Sequence, residues 1–324
     1  MVRAIRIHEY GGPEVMKFEE VTVGQPGQGE LRIRNTAIGL NYIDTYHRTG
    51  LYPVPSLPSV IGMEGAGVVI GVGPGVTEFK EGDRVAYVNP IGSYSEERLM
   101  PADRAVKLPD SIEDKTAAAM MLQGMTAQYL LRRTFKVGPE TVLLFHAAAG
   151  GTGLIACQWA RHLGATIIGT VGSDEKAKLA SEAGCTHVIN YRTENFVDRV
   201  KEITGGKGCD VVYDGVGKDT YPGSLDCLRP FGLWATFGNA SGKIENFDLG
   251  ILAAKGALFV TRPTLFVYTA KREDLVATAN DLFDVVGRGI VKINVNQTYR
   301  LSEAVQAHRD LEARKTTGST VLIP

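Results

Sequence analysis

The residues best suited to chemistry lie between positions 141 and 163. There the chain reads Thr141-Val142-Leu143-Leu144-Phe145-His146, then Ala147-Ala148-Ala149-Gly150-Gly151-Thr152-Gly153, then an apolar run through Gln158 to Leu163. A β-branched and apolar run predicts a strand, small residues predict a tight loop, and the run after them predicts a helix. That order makes an anion cradle, because the first N–H groups of a helix have no partner within it and its dipole favours negative charge. Set on the dinucleotide fingerprint G-x-G-x-x-G, the three key positions fall on Ala148, Gly150 and Gly153. Gly150 lets backbone approach a pyrophosphate and Gly153 lets the helix pack on the strand, with Ala149, Gly151 and Thr152 completing the cradle. Ala148 stands where a glycine is usual.

The ribose end of such a site forms at the close of the second strand, where a carboxylate normally grips the 2′-hydroxyl of NAD. Here the chain reads Gly169-Thr170-Val171-Gly172-Ser173 and offers no acid. Asp174 and Glu175 follow at once, in the place where acids open a helix. Lys176, one turn on, and Tyr191, after the third strand, are suited to a 2′-phosphate together with Gly172 and Ser173; the plainer alternative for Lys176 is a solvated surface lysine. The expected cofactor is NADPH.

These groups need elements to hold them. From residue 141 strands and helices alternate: strands 141–146, 166–171, 187–190, 210–213 and 233–237, with helices 152–163, 174–183, 194–203 and 221–228 between them. That alternation predicts βαβ units and a parallel sheet. The first ~120 residues read differently, as short strands near 3–7, 30–34, 67–70 and 84–88 among glycines and prolines, which suits a twisted sheet or partly open barrel interrupted by a helix over 41–49. Helices are expected over 111–136 and 272–286, an apolar edge strand at Ala257-Leu258-Phe259-Val260, and a closing strand over 319–323.

Composition narrows the function. Thirty-five Lys and Arg against 36 Asp and Glu give a net charge of −1, so no basic surplus favours nucleic acid or an anionic membrane. The N-terminus alternates like a strand and does not resemble a targeting segment, and no apolar run approaches a membrane span, so a soluble cytoplasmic protein is expected. Cys157, Cys185, Cys209 and Cys227 form no Cys-x-x-Cys, and the six histidines form no helical ligand pair; no metal is expected.

Several ordered motifs together resemble one family: Asn41-Tyr42-Ile43-Asp44 with Tyr46 and Gly50-Leu51-Tyr52-Pro53, Gly62-Met63-Glu64-Gly65-Ala66-Gly67, Glu81-Gly82-Asp83-Arg84-Val85, Gln123-Gly124-Met125-Thr126-Ala127, the glycine loop, Phe237-Gly238-Asn239, and the tail from Gly318 to Pro324. The chain is similar over nearly its whole length to the zinc-independent, ζ-crystallin-like quinone oxidoreductases of the medium-chain dehydrogenase/reductase superfamily. The resemblance implies an α/β protein in which a GroES-like β-rich catalytic domain, residues 1–124 and 264–324, flanks a Rossmann doubly wound parallel-sheet domain, residues 125–263. Where the zinc-bearing relatives carry ligands, this chain has Asn41, Met63 and the thiol-free stretch Gln123–Thr126, so the Lewis acid of alcohol oxidation is not expected.

The resemblance assigns Asn41 and Tyr46 to catalysis, Tyr52 and Thr126 to the substrate cleft, and Thr126, Phe237 and Asn239 to the nicotinamide end. The plainer readings are a helix N-cap for Asn41 and a half-buried aromatic for Tyr46. The implied reaction is hydride transfer from NADPH to a quinone. The rival enzyme reading is reduction of an α,β-unsaturated carbonyl, an enone, 2-alkenal or enoyl thioester, with Tyr46 or Tyr52 as proton donor; a non-catalytic, crystallin-like or RNA-binding role is the third. Two copies are expected to pair through the 257–260 edge strand.

Overall fold

The computed structural model describes every residue, Met1–Pro324. The chain folds into two compact units. Met1–Met125, Thr269–Gly287 and Ile293–Pro324 make the first, and Thr126–Tyr268 with Arg288–Lys292 make the second. No helix is long and apolar enough to cross a membrane.

The N-terminal part carries β1 (Val2–Ile7), β2 (Met16–Val21), β3 (Glu30–Leu40), α1 (Tyr42–Thr49), β4 (Ser59–Val60), β5 (Glu64–Val72), β6 (Arg84–Val88), β7 (Glu97–Pro101), β8 (Ala105–Lys107), α2 (Asp114–Ala118) and α3 (Met121–Tyr129). Then come β9 (Val142–Phe145), α4 (Gly151–His162), β10 (Thr166–Val171), α5 (Asp174–Glu182), β11 (His187–Asn190), α6 (Phe196–Ile203), β12 (Cys209–Asp214), α7 (Gly223–Asp226), β13 (Leu228–Thr236), α8 (Gly250–Ala254), β14 (Phe259–Thr261) and α9 (Leu265–Tyr268). The chain closes with α10 (Arg272–Gly287), β15 (Val295–Arg300), α11 (Ala304–Glu312) and β16 (Ser319–Ile323).

In the first unit a seven-stranded sheet runs β15-β16-β3-β5-β6-β8 with β7 added to β3, beside a three-stranded sheet β2-β1-β4. Period-two alternation explains β3: Leu31 and Ile33 go inward against Val69, Val85 and Met100, while Arg32 and Arg34 between them face away from that core. At the other end of β3, Ile38 and Leu40 join Ile5, Ile7, Leu301 and Leu322 in a second core. β16 pairs antiparallel with β3, Thr320 opposite Leu40 and Leu322 opposite Ile38, so both ends of the chain enter one sheet.

A buried polar chain locks α1 to α11. Arg48, 1% exposed, forks onto Glu312 at 2.7 and 3.0 Å and reaches Nδ1 of His308 at 2.9 Å. A guanidinium only donates, so Nδ1 accepts and the ring proton sits on Nε2. It is given to Tyr94 Oη at 3.1 Å, and Tyr94 donates to Asp44 Oδ2 at 2.9 Å. Burial and the Arg48 charge push the His308 pKa down to about 3, which keeps the ring neutral.

In the second unit six parallel strands run β11-β10-β9-β12-β13-β14. Two expectations need correction. The helix expected over 221–228 is one turn, α7, because Leu228 already begins the long strand β13 in register with Cys209. The edge strand is Phe259–Thr261, not 257–260: Leu258 turns into the core, whereas Phe259 is 61% exposed. Strands β2, β7, β8 and β15 and helix α11 are additions to the sequence reading.

Asp214, at the end of β12, gathers five donors. Its Oδ2 accepts from Thr220, Ser224 and Trp234 and its Oδ1 from the N–H groups of Val216 and Gly217. Burial raises its pKa, yet the His146 ring and these donors outweigh that and hold the carboxyl below its usual range. Replacing Asp214 with Ala orphans the Val216, Gly217 and Trp234 N–H groups in the core and leaves Thr220 and Ser224 only their second partners, Gly217 C=O and the His146 ring. Urea unfolding should show a loss of about 3–5 kcal/mol, and a loss under about 1 kcal/mol would contradict this account.

Candidate active site

The glycine loop leaves β9, the strand flanked by β10 and β12, where the chain's progress across the sheet reverses. In open α/β sheets ligands gather at that reversal, off the carboxyl ends of the strands. The loop is tight. Ala147 adopts a φ of +55°, and Gly150 N–H turns back to Ala147 C=O at 2.9 Å. Gly150 begins α4 with no side-chain cap, so the N–H groups of Gly151, Thr152 and Gly153 are left for another acceptor. A Cβ at Gly153 would stand 2.5 Å from Ala147 O and 2.6 Å from Ala148 O, and only glycine permits that approach. The missing first glycine is compensated across the sheet: Ala148 is buried, and Gly169 on β10 makes room for its methyl, since a Cβ there would come within 2.8 Å of it.

The ends of β10 and β11 set the ribose corner. Their parallel register closes with Val171 beside Asn190, which brings the residues following each strand together. A Cβ on Gly172 would lie 2.5 Å from Tyr191 Oη. Ser173 caps α5, its Oγ accepting from Lys176 N–H at 3.3 Å, while its hydroxyl donates to the Glu175 carboxylate. Asp174 accepts from Asn190 Nδ2 at 3.0 Å. Gly172, Ser173, Lys176 and Tyr191 thus share one corner, and a phosphate-bearing dinucleotide fits both the helix start and this end. Phe237 follows β13, its N–H donating to Asp214 C=O at 2.8 Å, and Asn239 C=O closes the next turn onto Gly242 N–H at 2.9 Å. Thr126 is buried on α3 and hydrogen-bonds the Tyr129 side chain.

In the first unit Asn41 occupies the N-cap position of α1, but its side chain does not cap. Asp44 closes the turn by accepting Asn41 N–H at 2.9 Å, and the Asn41 amide is drawn inward, Nδ2 lying 2.6 Å from Glu64 Oε2 and Oδ1 3.0 Å from Gln123 Nε2. Gln123 Oε1 is 2.7 Å from Ser319 Oγ, and Glu64 Oε1 accepts Leu122 N–H at 2.8 Å. Tyr46 meets Tyr52 edge to face with ring centroids 5.2 Å apart and Tyr42 at 6.5 Å, an aromatic wall on one turn of α1 and the loop after it. Both carboxyls beside Asn41 are fully buried. Burial pushes Asp44 to about 7, against hydrogen bonds from Asn41, Tyr94 and Met63, and Glu64 to about 8, against those from Asn41, Leu122 and Met121.

Sequence reasoning passes over Asp44, Glu64 and Ser319 as side chains with a role. The available signal is Glu64 alone, a carboxylate amid Gly62-Met63 and Gly65-Ala66-Gly67 where every neighbour is small or apolar. No group of three or more His, Cys, Asp or Glu is placed to hold a metal ion.

Comparison with known proteins agrees with both halves. A family model described as an alcohol dehydrogenase GroES-like domain matches residues 27–110, and one described as a zinc-binding dehydrogenase matches residues 151–282. The quinone oxidoreductase of Pseudomonas aeruginosa is 54% identical, and the 2-haloacrylate reductase of a Burkholderia species 51% identical, each over 100% of this chain and at least 99% of its own. The crystal structure of Escherichia coli quinone oxidoreductase complexed with NADPH superposes with a TM-score of 0.98 at 51% identity, covering 99% of this chain and all of that one. With likeness of that degree from end to end, the chain belongs to the zinc-independent, ζ-crystallin-like quinone oxidoreductase family.

Proposed function

We propose that this protein is an NADPH-dependent quinone reductase that works without a metal. The observation that carries the reading is the full-length likeness, at 0.98 TM-score, to a quinone oxidoreductase complexed with NADPH, together with a glycine loop and ribose corner that fit that cofactor. Bound there, the dinucleotide supplies a hydride from its nicotinamide. The protein's part is to bind, orient and keep water out.

The first three N–H groups of α4 hold the pyrophosphate, and Ser173, Lys176 and Tyr191 hold the 2′-phosphate. Thr126, Phe237 and Asn239 set the nicotinamide end. Asn41 and Tyr46 serve the reacting groups, with Tyr52 and Thr126 against the substrate. A quinone ring is electron-poor and planar, so the aromatic wall of Tyr46 and Tyr52 suits it. Its reduced form is a phenolate of moderate basicity, and hydrogen-bond donors suffice to stabilise it where an alkoxide would call for a Lewis acid. The domain roles follow: residues 1–124 with 264–324 contribute the substrate side and 125–263 the dinucleotide side. We place the reaction in the cytoplasm, a compartment that keeps thiols such as the buried Cys157 and Cys185 reduced.

A second reading is favoured by one observation, the 51% identity to a 2-haloacrylate reductase. The name denotes reduction of a carbon–carbon double bond conjugated to a carboxyl group, which the same hydride donor and a tyrosine proton serve. NADPH oxidation measured with 1,4-benzoquinone, a 2-alkenal, an enoyl thioester and 2-chloroacrylate should be fastest with the quinone; turnover of 2-chloroacrylate alone would reverse the order of the two readings.

Lys176 should set cofactor choice. A charge-assisted contact to a 2′-phosphate contributes ~1.5–3 kcal/mol, so Lys176→Ala should weaken NADPH binding by roughly ten- to a hundred-fold and leave NADH nearly unchanged. Equal losses for both would show that Lys176 does not read the phosphate.

We also assign a homodimer to the free edge of β14, where Phe259 is 61% and Val260 36% exposed, since open apolar edges are otherwise aggregation sites. Sedimentation at micromolar concentration should show a dimer, and Phe259→Lys should shift it to monomer. A wild-type monomer would refute the assignment.

A further inference from the structure

Asn41, Gln123 and Ser319 form a line of hydrogen bonds that begins at Glu64 and ends at the C=O of Ala119. The two ends of a side-chain amide are nearly isosteric, so such a line supports two polarities with the heavy atoms in the same places. Counting hydrogens distinguishes them. In one polarity Asn41 donates to an ionised Glu64, Gln123 donates to Asn41, and Ser319 faces two acceptors, Gln123 Oε1 at 2.7 Å and Ala119 O at 2.8 Å, with a single hydrogen. One close oxygen pair is left without a proton between its members. In the opposite polarity every contact is satisfied. Ser319 gives its hydrogen to Ala119 and accepts from the Gln123 amide, Gln123 accepts from Asn41, and Asn41 accepts a hydrogen from the carboxyl of Glu64, whose other oxygen still accepts Leu122 N–H at 2.8 Å. That arrangement requires a proton on Glu64.

The geometry agrees. The Glu64–Asn41 contact is 2.6 Å, short for N–H···O and ordinary for O–H···O. Glu64 is fully buried, and a Cβ on Gly39 would stand 2.4 Å from its Oε2, so the β3 backbone closes directly on that oxygen.

We propose that Glu64 is held as a neutral carboxylic acid that donates its proton to Asn41, and that this proton sets the direction of the amide chain through Gln123 to Ser319. Glu64 is then a positioning residue. Its proton fixes which end of the Asn41 amide carries the one N–H hydrogen not committed within the chain, the hydrogen Asn41 has to offer a substrate oxygen. Losing the proton reverses the chain and moves that hydrogen to the opposite end of the amide.

The titratable surroundings favour the neutral form. From α1, Asp44 adds a like charge; from β6 comes Tyr87, with the Arg98 guanidinium 4.9 Å over its ring; from the segment before β7 comes Tyr94, with Arg48 behind it; and β3, α2 and α3 bring Gly39, Ala118 and the backbone N–H groups of Met121 and Leu122. Burial, then the Asp44 charge, raises the Glu64 pKa to about 8, so the chain should reverse as pH passes that value.

Infrared spectroscopy tests the proton directly. At about pH 6, below the shifted value, the full-length protein should show a protonated-carboxyl C=O band that Glu64→Gln removes, Asp44→Asn leaves in place, and alkali titrates away. Absence of a band sensitive to Glu64→Gln overturns the proposal whatever the protein catalyses. The kinetic arm rests on the quinone reductase reading. The side-chain amide introduced by Glu64→Gln would donate to Asn41 and accept from Leu122 as the neutral acid does, so this variant should restore most of what Glu64→Ala loses. Expected values are a more than ~10-fold loss of kcat/KM for Glu64→Ala and no more than ~3-fold for Glu64→Gln, the latter without the wild-type decline above about pH 8. If Glu64→Gln is as poor as Glu64→Ala although the wild-type band is present and thermal unfolding shows the variant folded, the positioning role is wrong. If no quinone is turned over by the wild type, the reductase reading fails and the infrared result still decides the state of Glu64.

Discussion

The pairing of β16 with β3 is the constraint on which the first unit depends. Because Thr320 lies opposite Leu40 in an antiparallel ladder, the next pair outward is Ser319 and Asn41. A strand near the C-terminus and one near the N-terminus thereby bring together two side chains 278 positions apart, and Gln123 at 3.0 and 2.7 Å joins them. Without that ladder Asn41 would be only the residue before a short helix. The same ladder makes the second unit an insertion, since the chain leaves the first unit within α3 and returns to it before α10 and β16.

Both units spend buried polar groups for position rather than for net stability. A buried charge or hydroxyl contributes little once its desolvation is counted, but removing one partner is costly. Arg48, His308, Tyr94 and Asp44 form a line whose direction is fixed by a guanidinium that cannot accept, and the line ends on the carboxyl that closes the first turn of α1. Asp214 performs the corresponding task in the second unit, tying the loop after β12 to Thr220, Ser224 and Trp234. Such networks tolerate one arrangement of their elements, which is what a site with little acid–base chemistry of its own requires: its contribution to rate is orientation.

Cofactor selection is a local matter by comparison. The end of β10 carries glycine and serine where an acid would hold a ribose hydroxyl. Of the two acids that follow, Asp174 is engaged by Asn190 at 3.0 Å and Glu175 by the Ser173 hydroxyl. On the proposed reading, selection for NADPH would need no rearrangement of the sheet, only the side chains that follow two adjacent parallel strands.

What the sequence determined by itself was local and periodic. Strand, small-residue loop and helix from Thr141 to Leu163 are consecutive, so the cradle was legible, as was the parallel sheet from alternating strands and helices. Even the exchange of glycine for Ala148 could be seen, though not its compensation by Gly169, a contact across two strands. Tertiary structure alone decided the rest. Asn41 reads as an N-cap because Ser, Thr, Asp and Asn before a helix ordinarily cap it; here Asp44 closes the turn and a buried Glu64 takes the amide. Strands β2, β7, β8 and β15 are hidden in the sequence because edge and solvent-facing strands carry no strong apolar alternation, and their pairing is set by neighbours distant along the chain. The polar line from Glu64 to Ser319 is invisible for the same reason. Hydrogen-bond direction depends on which groups share a desolvated space, and no spacing along the chain encodes that.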